Sequence, residues 1–279
     1  MASLLGRILF KINANSNVTT NTPPFKSTNF TIEEKNESKK EEKTENTTKN
    51  NTKIKNNTKT KIDTKEETKN SKNNTKKKTE NKSKEKNNHN TEDGKKMVSK
   101  AFDDRLGCAV VLEIAKEMKN ISHPNTVILG MTTQEEVGLR GAKVASNMFE
   151  PDLFITVDVS PASDYLNKPG APKIGDGFLI RYYDPGCIMK PELLEYFEQL
   201  AEKENIKYQY FRSTGGTDAG QAQYAKYGTL ATTVGVLGRY IHSPATMVHM
   251  DDIEAAKTFV IKLIEKFNEE ELKKVQNIY

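Results

Sequence analysis

Residues 125–160 read NTVILGMTTQEEVGLRGAKVASNMFEPDLFITVDVS. NTVILGMTT (125–133) is a short β-rich run, GAKVASNMF (141–149) has the pattern of a helix, and DLFITVDVS (152–160) reads as a buried strand. Strand, helix and strand in that order are the repeating unit of an α/β fold. Outward from it the alternation continues. DDRLGCAVVLEIAKEMKN (103–120) has apolar positions at helical spacing, with Asp103 and Asp104 where acidic side chains favour the positive end of a helix dipole. FLIRYY (178–183) is a strand, and KPELLEYFEQLAEKENI (190–206) is an amphipathic helix with Pro191 in its first turn. KYQYFR (207–212) is a strand, STGGTDAGQAQYAK (213–226) a turn opening a helix, and GTLATTVGV (228–236) a strand. MDDIEAAKTFVIKLIEKFNEEEL (250–272) is one long closing helix. The expected fold is α/β, a mostly parallel sheet sandwiched by helices.

The first third of the chain is different in kind. Of 279 residues, 35% are hydrophobic, and the mean hydropathy of −0.73 is low for a globular protein. The deficit is concentrated between about Asn13 and Lys96, where Asn, Lys, Thr, Glu and Ser make up almost everything. Such a tract cannot bury enough apolar surface to offset the entropy of ordering it. Residues 1–96 are therefore read as a low-complexity, disordered segment and 97–279 as the folded part, one ordinary domain in size.

The net charge of +5 comes with lysines interleaved among Asn and Thr rather than Arg or aromatics, the pattern of a solvated spacer. No nucleic-acid partner is expected. The Asn-x-Ser/Thr triplets of the tract follow from its composition. Arg7 interrupts the apolar opening MASLLGRILF, too short for a secretory leader, and no run reaches membrane-spanning length. Cys108 and Cys187, each in apolar surroundings, read as buried thiols of a cytoplasmic protein.

In an α/β sheet, ligands collect at the carboxyl ends of strands. Asp103, Glu135, Glu136 and Asp158 all lie at strand ends or strand-to-helix turns, and His242 follows the strand 228–236 by a few residues. Carboxylates and an imidazole gathered on one rim suit a divalent cation such as Zn, Co or Mn, without which the acids repel. Of the adjacent glutamates only one coordinates comfortably, and the other is left to take a proton from a metal-activated water. Each residue also has a plainer reading: a helix N-terminus for Asp103 and Asp104, a loop cap for Asp158, solvated charges for Glu135 and Glu136, a loop histidine for His242. His123 reads as a helix C-cap, His249 as a surface or supporting residue, Asp218 as the cap of the next helix, and His89 falls in the low-complexity tract.

KAFDDRLGCAVVLE (100–113), MTTQEEVGLRGA (131–142), LFITVDVS (153–160), STGGTDAG (213–220) and GRYIHSP (238–244), in this order, resemble the glutamyl/deblocking aminopeptidases of the tetrahedral (TET) type. These are dinuclear metallopeptidases, some of them described as endoglucanases. The resemblance runs from about Lys95 to Phe267. It implies that Asp103 bridges two metals, that the peptide between Asp103 and Asp104 is cis, and that Glu135 is the general base. It further implies that Glu136 and His242 bind one metal and Asp158 the other. Peptides with a free N-terminus would be the substrates, and the family forms homo-oligomers.

One departure stands out. The family's first metal ligand, a histidine in a His-x-Asp motif upstream of Asp103, has no counterpart, nor have the early strands and the dimerisation domain. One metal keeps Asp103, Glu136 and His242, while the other keeps only Asp103 and Asp158 and is weakened. The expectation is therefore an aminopeptidase that is poorly active in this form, with a catalytically impaired remnant or interaction protein as the alternative and oligomerisation in doubt. A glycosidase, needing carboxylates across a sugar cleft, fits less well.

Overall fold

The computed structural model of the chain describes residues 4–11, 94–166 and 168–276. The described residues belong to one compact unit that joins the start of the sequence to everything after residue 86. The bulk of the low-complexity tract lies outside the described residues. Its first residues do not: Leu4–Lys11 form strand β1. Assigning all of 1–96 to a structureless segment is thus corrected at residues 4–11 and again at Lys96, where β2 (Lys96–Ser99) begins.

The remaining elements are α1 (Phe102–Glu117), β3 (Thr126–Thr133), α2 (Arg140–Phe149), β4 (Leu153–Pro161), β5 (Phe178–Asp184) and β6 (Cys187–Ile188). They are followed by α3 (Pro191–Lys203), β7 (Tyr208–Arg212), α4 (Asp218–Gln223), β8 (Leu230–Arg239), β9 (Thr246–His249), α5 (Met250–Lys266) and α6 (Glu269–Gln276). The strands form one sheet in the order β2-β9-β8-β4-β1-β3, with β5 on β8 and both β6 and β7 on β5.

The α/β sandwich is as expected, but the sheet is mixed rather than mostly parallel. Among the described strands only β4–β8 and β5–β7 pair in parallel. Antiparallel pairs arise at β1, β2, β6 and β9, strands whose partners lie far off in sequence or whose pattern is too brief to register, and where β5 runs against β8.

Helices cover both faces. On one, Ile114 of α1, Phe197 of α3, and Phe259 and Ile264 of α5 pack on Ile155, Val157, Val234 and Ile180. On the other, Ala142 of α2 with Ala219 and Ala222 of α4 pack on Phe154 and Ala231. Central β4 and β8 are therefore buried on both sides, which explains their continuous apolar sequences.

The closing helix is broken where one long helix was expected. α5 ends at Lys266, Phe267 leaves helical geometry, and the side chain of Asn268 accepts a hydrogen bond from the Glu271 amide at 3.0 Å, starting α6 afresh. An asparagine ahead of three glutamates is a helix-start signal. Both cysteines are buried, as expected.

Candidate metal centre

The site is built where four turns meet. Ala101 adopts a left-handed φ of 60°, and Asp103 and Asp104, joined by a cis peptide, do not take helical geometry. Asp104 caps α1 instead, its Oδ1 accepting from the Gly107 amide at 2.8 Å. A Cβ on Gly107 would strike the Asp104 carboxylate and the carbonyl of Val157, so glycine here lets α1 close onto β4. Asp103 is consequently free of helix duties and lines the cavity.

After β3, Gln134 turns left-handed with φ 60°, and the amides of Gly138 and Leu139 both bond the Glu135 carbonyl at 2.9 Å. This tight turn, which needs Gly138 at φ +121°, presents Glu135 and Glu136 before α2 begins. Asp158, within β4, is 5% exposed, and its Oδ1 accepts from the Val159 amide at 2.8 Å. His242 sits in the β8–β9 loop at φ 58°, a strained left-handed conformation for histidine. The loop is fastened by Ser243, whose hydroxyl donates to the Tyr240 carbonyl at 2.6 Å.

These turns bring three donors together. His242 Nε2 lies 3.1 Å from Asp103 Oδ2 and 3.8 Å from Glu136 Oε2, and one ligand atom from each residue falls within 4.8 Å of the other two. Asp103, Glu135, Asp158 and His242 line one hollow of about 240 Å³. Larger hollows exist on the surface, among them one of about 550 Å³ beside β6 and α3, but none of the site acids lines it. Asp158 lines the hollow without joining the three-residue cluster. Burial, then the charges of Asp158 and Glu136, push the Asp103 carboxyl up to about 7, with only His242 pulling the other way. Two carboxylates and an imidazole within one coordination sphere, in a field that disfavours the ionised acid, are a donor set that fits a borderline divalent cation.

One wall of the hollow was not anticipated. Arg181, 5% exposed on β5, places Nε 3.2 Å from Asp184 Oδ2 and donates from Nη2 to the Gly215 carbonyl in the 213–216 loop. Burial lowers its pKa, and Asp184 followed by Asp158 oppose that. The sequence does carry a signal, a lone arginine inside an otherwise apolar and aromatic strand. Three plainer assignments need correction. Asp218 does not cap α4; it accepts from the Thr132 hydroxyl at 2.5 Å. His249 is buried and itself caps α5, accepting from the Asp251 amide at 3.2 Å. His123 bonds the Asn125 carbonyl at 2.8 Å rather than a helix end.

Fold and cluster together define an α/β protein built around a candidate divalent-metal centre. Comparison with known proteins makes this specific: the chain belongs to the M42 glutamyl aminopeptidase family, whose sequence profile matches residues 23–259. It is 42% identical over 185 residues to a glutamyl aminopeptidase of Lactococcus lactis subsp. cremoris, covering 66% of this chain and 52% of that protein. Among solved structures it resembles the TET aminopeptidase of a marine-sediment Thaumarchaeota archaeon, with TM-score 0.62, 34% identity, and coverage of 66% and 52%. It also resembles the TET1 peptidase of Pyrococcus horikoshii, described as assembling into a tetrahedron or a large octahedral shell, with TM-score 0.56, 29% identity, and coverage of 62% and 51%. The chain thus spans about half the length of the relatives it matches.

Proposed function

We propose that the chain is a metal-dependent aminopeptidase hydrolysing N-terminal residues from peptides. The convergence of Asp103, Glu136 and His242 within 4.8 Å carries this reading. These three would hold one divalent cation, Zn, Co or Mn. Asp103 with Asp158 would hold a second more weakly. A cation bound there would supply Lewis acidity, polarising a peptide carbonyl and lowering the pKa of water toward neutrality. Glu135, in the same hollow but outside the three-donor cluster, is placed to accept a proton from the attacking water and return it to the leaving amine. Asp158, buried and fixed by the Val159 amide, adds negative charge that holds a cationic group nearby.

The name of the Lactococcus relative suggests an acidic N-terminal residue in the substrate. Arg181 is the one guanidinium lining the hollow and would face such a side chain. No helix among the described residues is long and apolar enough to cross a membrane. Assembly of the kind described for the Pyrococcus peptidase would be its quaternary state.

The test is hydrolysis of aminoacyl-p-nitroanilides by metal-stripped protein with and without added Zn or Co. Cation-dependent release of p-nitroaniline is expected, highest for glutamyl substrates. No release above buffer with either metal contradicts the proposal.

A further inference from the structure

β3 ends at Thr133, and the next three residues bring Glu135 to the hollow and Glu136 to the three-donor cluster. Its place in the sheet is unusual. Among the described residues its only strand neighbour is β1, which pairs with it antiparallel over the full register from Leu4↔Thr133 to Lys11↔Thr126. On its other side β1 pairs with β4, from Arg7↔Thr156 to Phe10↔Leu153. β3 and β4 therefore run in the same direction with one strand-wide slot between them, and residues 4–11 fill it.

The other site residues have supports besides that slot, although α1, next to Asp103, also packs on β1. Asp158 lies within β4, which pairs with β8 through nine registered positions from Leu153↔Leu230 to Pro161↔Gly238. His242 follows β8, and Asp103 is fixed by α1 closing onto β4 at Gly107. Besides the ladder, Val127 and Leu129 pack against the main core and Ile128 against the second cluster, and further ties act at the ends of the strand. The Asn125 side chain donates to the Phe267 carbonyl at 2.5 Å, the Thr132 hydroxyl donates to Asp218 at 2.5 Å, and Gly141 of α2 lies against the Thr133 backbone. Two side-chain bonds and a helix contact limit how far the strand strays. The ladder fixes its register along the sheet, and a two-residue slip, which keeps the same faces inward, would carry the glutamates about 7 Å away.

We propose that strand β1, residues 4–11, is the positioning element of the two glutamates: seated between β4 and β3, it sets the height at which Glu135 and Glu136 meet Asp103 and His242. The extreme start of the chain, remote in sequence, is then a working part of the metal centre. Its effect on chemistry rests on the proposed aminopeptidase reading; its effect on β3 does not.

Ile8 sits in both ladders, opposite Leu129 and Ile155. In the full chain, Ile8→Pro removes a ladder N–H at the middle of β1, whereas Ile8→Val keeps it. Amide exchange is read at Val127–Met131 of β3 and, in the same sample, at Val234–Val236 of β8, alongside Co(II) affinity. The expected result for Ile8→Pro is loss of β3 protection by about a hundredfold with β8 unchanged, and a fall of roughly tenfold or more in Co(II) affinity. Ile8→Val should match the parent in both. Unchanged β3 protection in the proline variant overturns the proposal.

Should Ile8→Pro unfold altogether, the decision falls to Leu9→Cys with Ile128→Cys, at positions in register across the two strands. Disulfide formation on mild oxidation, with Co(II) affinity kept, supports the proposal, and failure to cross-link overturns it. A parent chain that binds no cation defeats the proposed function but leaves the exchange result to judge β1.

Discussion

Glu135 and Glu136 are adjacent in sequence and set in different places by the turn that presents them. Glu136 Oε2 reaches to 3.8 Å from His242 Nε2, while Glu135 lines the hollow without joining the donor cluster. Glu135→Gln should therefore lower kcat by about 10²- to 10⁴-fold while cation affinity stays near that of the parent, measured by p-nitroanilide hydrolysis and Co(II) titration. A second residue-scale effect concerns stability. Asp164 accepts both Arg239 Nε and Nη2 at 2.8 Å, and this pairing holds its carboxyl below the usual 3.8. A depressed carboxylate stabilises the fold above its unfolded pKa and loses that contribution as pH falls through the folded value. Asp164→Asn should cost about 1–2 kcal/mol at pH 7 in denaturant titrations, a gap that closes below about pH 4.

At the scale of elements, the site depends on how closely α1 approaches β4. Gly107→Ala places a methyl against the Val157 carbonyl and the Asp104 carboxylate. It should destabilise the fold by about 1–3 kcal/mol, read by thermal unfolding, and weaken cation binding with it because Asp103 moves with the helix. The elements that carried their own pattern were legible in the sequence: α1, α2 and α3 by helical spacing, β3, β4 and β8 as apolar runs. Asp103, Glu135, Glu136, Asp158 and His242 were candidates from the sequence, and the structure brings Asp103, Glu136 and His242 together. β1 was not legible. LLGRILFK abuts a polar tract, and pairing with strands more than a hundred residues away leaves no local mark. β2 and β9, four residues each, are too short for a period-2 signal. His249 and Asp218 were misjudged because a buried polar contact is decided by what packs over it, as Thr132 does over Asp218.

At the scale of the whole molecule, β3 and β4 run in the same direction without pairing, and β1 joins them into one sheet among the described residues. The molecule thereby keeps both helix layers and a rim on which three carboxylates and an imidazole converge. Such a rim is electrostatically unfavourable by itself, as the raised Asp103 carboxyl shows. A bound cation turns that cost into affinity. Co(II) titration of metal-stripped parent, Glu136→Gln and His242→Ala, followed by equilibrium dialysis, tests this most directly. The account predicts one tightly held ion per parent chain and a loss of affinity of about tenfold or more in each variant; a parent that holds no ion, or variants that bind as tightly as the parent, would contradict it.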